Sequence, residues 1–116
     1  MSQHLTLQFT RFPQSALITL QGRLDGNSAA EFGAFAATHL QPGDTAVVLD
    51  CQGLAYISSA GLRELLKLAK QLNRHQKRPA IACASASVSE VLEIAGFHAL
   101  FHCTPDVESA RQAVED

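Results

Sequence analysis

The sequence predicts an α/β fold: a mostly parallel sheet of four to five strands, an antiparallel N-terminal strand and about four helices, in the order ββαβαβαβα. Three observations carry this. Two strand-like segments near the N-terminus are joined by a connection too short for a crossover, so they pair as a hairpin. Compact apolar runs at 46–49 and 79–83 lack alternation, as strands buried on both faces do. Helix-like segments separate the later strands, which is how parallel strands are connected.

Each element has its own justification. Leu5, Leu7 and Phe9 alternate with Thr6, Gln8 and Thr10, the pattern of a half-buried strand. Phe12-Pro13-Gln14-Ser15 makes a turn, and Ala16-Leu17-Ile18-Thr19-Leu20 is the second strand, broken at Gly22-Arg23-Leu24-Asp25-Gly26. A helix begins near Asn27 or Ser28, where Ser28 and Glu31 have capping-box spacing, and runs to about Leu40 before Pro42-Gly43. Ala46-Val47-Val48-Leu49 is a buried strand that ends at Asp50, with a loop from there to Ser59. Leu62, Leu65, Leu66, Ala69 and Leu72 recur at helical spacing, while Arg63, Glu64, Lys67, Lys70 and Arg74 fall mostly elsewhere. Pro79-Ala80-Ile81-Ala82-Cys83 is the next strand. Ser87 and Glu90 read as a second capping box, opening a helix that stops at Gly96. A short strand follows near Ala99–His102, and Thr104-Pro105 caps a terminal helix through about Val114.

Composition narrows the function. A chain of 116 residues predicts one domain, spanning 1–116, and 47% hydrophobic residues suffice for its core without metals or disulfides. The formal charge is −2 with no run of like charges, which argues against direct nucleic-acid binding. Cys51, Cys83 and Cys103 are odd in number and widely spaced, so reduced thiols in the cytoplasm are expected, with Cys83 and Cys103 as small buried hydrophobes. No secretory leader and no membrane insertion are expected, because neither a basic n-region with an apolar h-region nor a spanning apolar run is present.

Enzyme templates fail. There is no Gly-rich phosphate loop, Ser58 and Ser59 lack the Gly-x-Ser-x-Gly elbow, and His98 and His102 do not share a helix face. No catalytic residue, metal or cofactor is expected. What remains is the helix entrance Tyr56-Ile57-Ser58-Ser59-Ala60-Gly61-Leu62. Serine at such an entrance ordinarily caps the helix. It also tolerates phosphorylation, because the helix N-terminus carries partial positive charge and free N–H donors. Gly61 provides clearance, either for a partner's backbone or for packing inside the domain.

Two segments resemble the STAS domain, the family of bacterial anti-sigma factor antagonists. One is Val47-Val48-Leu49-Asp50, with Leu54 and then Tyr56-Ile57-Ser58-Ser59-Ala60-Gly61-Leu62; the other is Leu20-Gln21-Gly22-Arg23-Leu24-Asp25. The resemblance implies a STAS-like sheet and a protein-binding module in transcription regulation. Its partner would be an anti-sigma factor of serine kinase type, with a phosphatase reversing the modification. It further implies that Ser59 is the phosphorylated serine and that Asp25, Ser58, Ser59, Gly61 and Leu62 contact the partner. Many antagonists carry Asp where this chain has Ser58, which makes Ser58 a rival phosphoacceptor. The alternative is a regulatory subunit docked on a transporter ATPase, with the two serines serving only as a cap.

Overall fold

One five-stranded sheet in the order β1-β2-β3-β4-β5 organises the computed structural model, which describes residues 4–116. Its strands are β1 Thr6–Arg11, β2 Ala16–Leu24, β3 Val47–Ile57, β4 Ala80–Ala82 and β5 His102–Thr104. The helices are α1 Ala29–His39, α2 Ser59–Asn73, α3 Ala86–Ile94 and α4 Val107–Glu115. β1 and β2 are antiparallel and every later pairing is parallel, as the sequence predicts.

Period-two alternation divides the core between the two faces. On one face Ile18, Leu20, Leu49 and Ile81 pack against Phe32 of α1, Leu65, Leu68 and Leu72 of α2, and Val88 and Leu92 of α3. On the other, Leu17, Val48, Ala80 and Ala82 pack against Ala110 and Val114 of α4. Small residues on this second face let a single helix lie close to the sheet.

Several boundaries differ from expectation. β3 does not end at Asp50 but continues to Ile57, and β2 runs through Gly22 to Leu24. The two extensions pair with each other, Gln21 with Gly53, Gly22 with Leu54, Arg23 with Tyr56 and Leu24 with Ile57. Register shifts interrupt this ladder, so Cys51, Leu54 and Ile57 are buried three residues apart and no period-two signal reaches the sequence.

The capping boxes also fail. Ser28 makes no side-chain cap to α1; its hydroxyl donates to the Arg23 carbonyl at 2.8 Å and accepts from the Asp25 N–H at 3.0 Å. Glu31 instead meets His4 at 2.6 Å. α3 is capped by Ser85, which accepts from the Val88 N–H at 3.2 Å, because the chain leaves β4 sharply at Cys83 (φ 62°) and Ser87 already lies in the helix. Gly96 does terminate that helix region, in the left-handed conformation. Phe97–Ala99 form a 3₁₀ turn that buries Phe97, displacing β5 to His102–Thr104. Asp106, not Thr104, caps α4 by accepting from the Ser109 N–H at 2.7 Å, because Thr104 is held in the sheet opposite Ala82.

The cysteines are likewise redistributed. Cys51 is the buried one, its thiol pushed up to about 12 by desolvation, whereas Cys83 is half-buried and Cys103 exposed. β5 is an edge strand of the sheet, and Cys103 lies at its centre.

Candidate functional site

The carboxyl ends of β2 and β3 meet at the entrance of α2, joined by one hydrogen bond from the Ser58 N–H to the Leu24 carbonyl at 2.9 Å. Parallel strands bring their C-terminal ends to the same edge, and the loops that follow gather there. Asp25 and Ser58 therefore become neighbours in space although 33 positions separate them in the chain.

The two serines have different jobs. Ser58 is the N-cap: its backbone is extended (φ −101°, ψ 177°), its side chain accepts from the Gly61 N–H at 3.4 Å, and its carbonyl accepts from the Leu62 N–H at 2.9 Å. Ser59 is the first helical residue. It is exposed, and its hydroxyl makes no hydrogen bond among the described residues. The first turn of α2 contains no acidic side chain, unlike α1 with Glu31 and α4 with Glu108. The positive end of this helix is thus left without a carboxylate of its own.

Asp25 is half-buried and already occupied. Its carboxylate accepts from the Asn27 N–H at 3.0 Å, the Ser28 hydroxyl at 3.3 Å and Arg23 Nε at 3.4 Å. The Asn27 N–H, with help from Arg23 and Ser28, holds that carboxyl below the usual carboxylate range. Asp25 is a fixed negative charge that shapes the β2–α1 turn.

Gly61 faces inward. A Cβ built there would stand 2.7 Å from the Leu24 carbonyl oxygen, 2.8 Å from Leu24 Cγ and 3.0 Å from Ile57 Cγ1. Of the two readings of this glycine, clearance inside the domain is the one its burial fits. Gly61→Ala is expected to lower unfolding free energy by about 1–3 kcal/mol, by chemical denaturation, because the helix entrance must lift off β2. An unchanged midpoint would show that the entrance yields without strain. Leu62 is half-buried against the main core, so only its outer edge faces solvent.

Two side chains that sequence reasoning passed over complete the edge. Arg23 and Tyr56 are register partners, and the Arg23 guanidinium lies 4.1 Å from the centroid of the Tyr56 ring. Tyr56 is 41% exposed, unusual for a large aromatic side chain in this core-rich domain. Both residues lie within the family-like segments, but nothing in either segment alone marks them as a stacked pair.

A groove of about 430 Å³ lies elsewhere, lined by Leu5, Leu7, Glu31, Ala34, Phe35, Thr38 and His39. Among the described residues no group of three His, Cys, Asp or Glu gathers to hold a metal ion, and no helix is long and apolar enough to cross a membrane. The arrangement suits macromolecular contact and modification at one exposed hydroxyl.

The STAS domain family matches residues 7–110. The proposed anti-sigma factor antagonist BtrV of Bordetella bronchiseptica is 39% identical over 94 residues, which is 81% of this chain and 81% of that protein. An anti-sigma factor antagonist from Mycobacterium paratuberculosis superposes with a TM-score of 0.84 at 17% identity, covering 100% of both chains. SpoIIAA, an anti-sigma factor antagonist and Bacillus cell fate determinant, superposes in its unphosphorylated form with a TM-score of 0.76 at 18% identity, over 92% and 95% of the two chains. Its phosphorylated form gives 0.71 at 18% identity, over 92% and 98%.

Proposed function

This chain belongs to the STAS domain family, and on that premise we propose that it is an anti-sigma factor antagonist switched by phosphorylation of Ser59. It is a regulatory binding module and not an enzyme. Unmodified, it binds an anti-sigma factor of serine kinase type in the cytoplasm and so frees a sigma factor; phosphorylation by that kinase ends the complex, and a phosphatase restores it. Asp25, Ser58, Gly61 and Leu62 frame the contact, mostly by holding the edge in shape, while Ser59 is the point that changes.

The observation that carries this reading is the division of labour between the serines. Ser58 spends its hydroxyl on the cap, and Ser59 presents a free, exposed hydroxyl at the unneutralised end of α2. A phosphate there meets unpaired backbone N–H donors of the first turn, so the fold tolerates it. To a partner seated on the same edge it adds nearly two negative charges and considerable bulk. SpoIIAA, with the same fold, exists in both phosphorylation states, in keeping with such tolerance.

The test is incubation with the purified anti-sigma factor kinase and ATP, read by intact mass and by co-elution. One phosphate is expected on the wild type and on Ser58→Ala, and none on Ser59→Ala. The complex is expected to form before modification and to dissociate after it. Incorporation into Ser59→Ala would move the switch to another residue, and a complex indifferent to phosphate would remove the switch altogether.

A further inference from the structure

The cationic side chains are unevenly distributed. Of nine Lys and Arg, six lie between Arg63 and Arg78, a stretch whose sole acid is Glu64; the other ten acids lie elsewhere. Arg63, Lys67 and Lys70 of α2 and Arg74 at its C-cap are spaced four, three and four residues apart, so these four never form a run in the sequence. The helix assembles them. At 3.6 residues per turn, Ser59, Arg63, Lys67, Lys70 and Arg74 fall within about 80° of arc and extend over about 22 Å.

This stripe points away from the core. The opposite side of α2, with Gly61, Leu65, Leu68, Ala69 and Leu72, is its buried face, and all four cations are exposed. Lys67 meets Glu64 Oε2 at 2.9 Å, whereas Arg63, Lys70 and Arg74 make no ion pair among the described residues. Like charges four residues apart, as in Arg63–Lys67 and Lys70–Arg74, weaken a helix. The cations near the C-terminal end, Lys70 and Arg74, suit the helix dipole, but the domain offers no ion-pair partner to Arg63, Lys70 or Arg74 among the described residues.

We infer that this stripe is a docking face for an acidic surface of the protein partner that reads Ser59. The inference rests on the antagonist reading for the partner's identity only. Ser59 stands one turn above Arg63 on the same line, so the modification point is the head of the stripe. A phosphate there would neutralise Arg63 and repel the partner's carboxylates as they arrive. A protein with a local acidic patch fits better than a nucleic acid or an anionic bilayer. Outside the 63–78 stretch the chain carries ten acids against three Lys and Arg, which would repel an extended anionic ligand.

The decisive measurement is the association rate with the purified anti-sigma factor between about 0.05 and 0.5 M salt, which spans strong to weak screening. For the wild type, a fall of about tenfold across that range is expected. The double reversal Arg63→Glu/Lys70→Glu should lower the low-salt rate about tenfold and flatten the salt dependence. Glu90→Lys/Glu93→Lys on α3 should change it less than about twofold. A salt-independent wild type, or a reversal without effect on an intact complex, overturns the inference and leaves the antagonist reading standing.

Poly-L-glutamate, followed by amide shifts in NMR, tests the face without any partner. Shifts confined to the exposed side of α2 are expected, and their absence overturns the inference. Should no anti-sigma factor bind any variant, the antagonist reading fails while this titration still decides the surface. Duplex DNA and phosphatidylserine vesicles serve as parallel probes; tighter binding of either than of the anti-sigma factor at equal salt overturns the choice of a protein partner.

Discussion

Ser59→Asp is expected to weaken binding to the anti-sigma factor by about a hundredfold, while Ser59→Ala stays within about threefold of the wild type. Neither change should disturb the domain. Ser59 is exposed and makes no side-chain hydrogen bond among the described residues, so removing its hydroxyl leaves no buried group unsatisfied. A carboxylate at the first position of α2 sits at the positive end of the helix, where it is neutral to mildly stabilising. The cost therefore falls on the interface, where a negative charge is buried against a partner complementary to the unmodified serine. Isothermal titration with melting curves on the same samples separates the two. Equal affinities for Ala and Asp would leave a docking module without a chemical switch; a large loss of melting temperature in Ser59→Asp would mean the side chain is structural.

Gly22→Ala is expected to damage the fold severely, lowering unfolding free energy by about 3 kcal/mol or more and the melting temperature by about 10 °C or more. Two effects combine. Gly22 sits within β2 at φ 100°, a region open to glycine and costly for any residue with a Cβ. A Cβ there would also run into the His4 carbonyl and stand 3.0 Å from its carbon and 3.4 Å from Leu5 Cα, so the chain entering β1 would have to move. The consequence reaches the functional edge, because Leu24 and Asp25 follow at once and Leu24 holds Ser58. Thermal and urea unfolding measure the loss; a melting temperature within about 2 °C of wild type would show that the bulge relaxes at little cost.

The same two glycines illustrate what a sequence discloses. Gly22 reads as a break in a strand, yet the strand passes through it, because a bulge lets the ladder resume at Arg23. Gly61 reads equally as partner clearance or internal clearance, and only the proximity of Leu24 and Ile57 favours the second. Capping boxes mislead for a related reason. The spacing of Ser28 with Glu31 is right, but the tight turn after Asp25 draws the Ser28 hydroxyl back to Arg23 and Asp25, and His4 arrives to take Glu31. In each case a contact from outside the segment won over a local preference.

By itself the sequence determined the element order, the hairpin followed by parallel strands, the apolar face of α2 and the segment in which the serines lie. These follow from periodicity and from residues that stop helices, which are local properties of the chain. Tertiary structure alone decided that β2 and β3 run on to Leu24 and Ile57, that Ser58 caps while Ser59 stands free, and that Arg23 covers Tyr56. The physical reason is that pairing register, burial and charge proximity are relations between distant segments, and they acquire values only when the sheet brings those segments together.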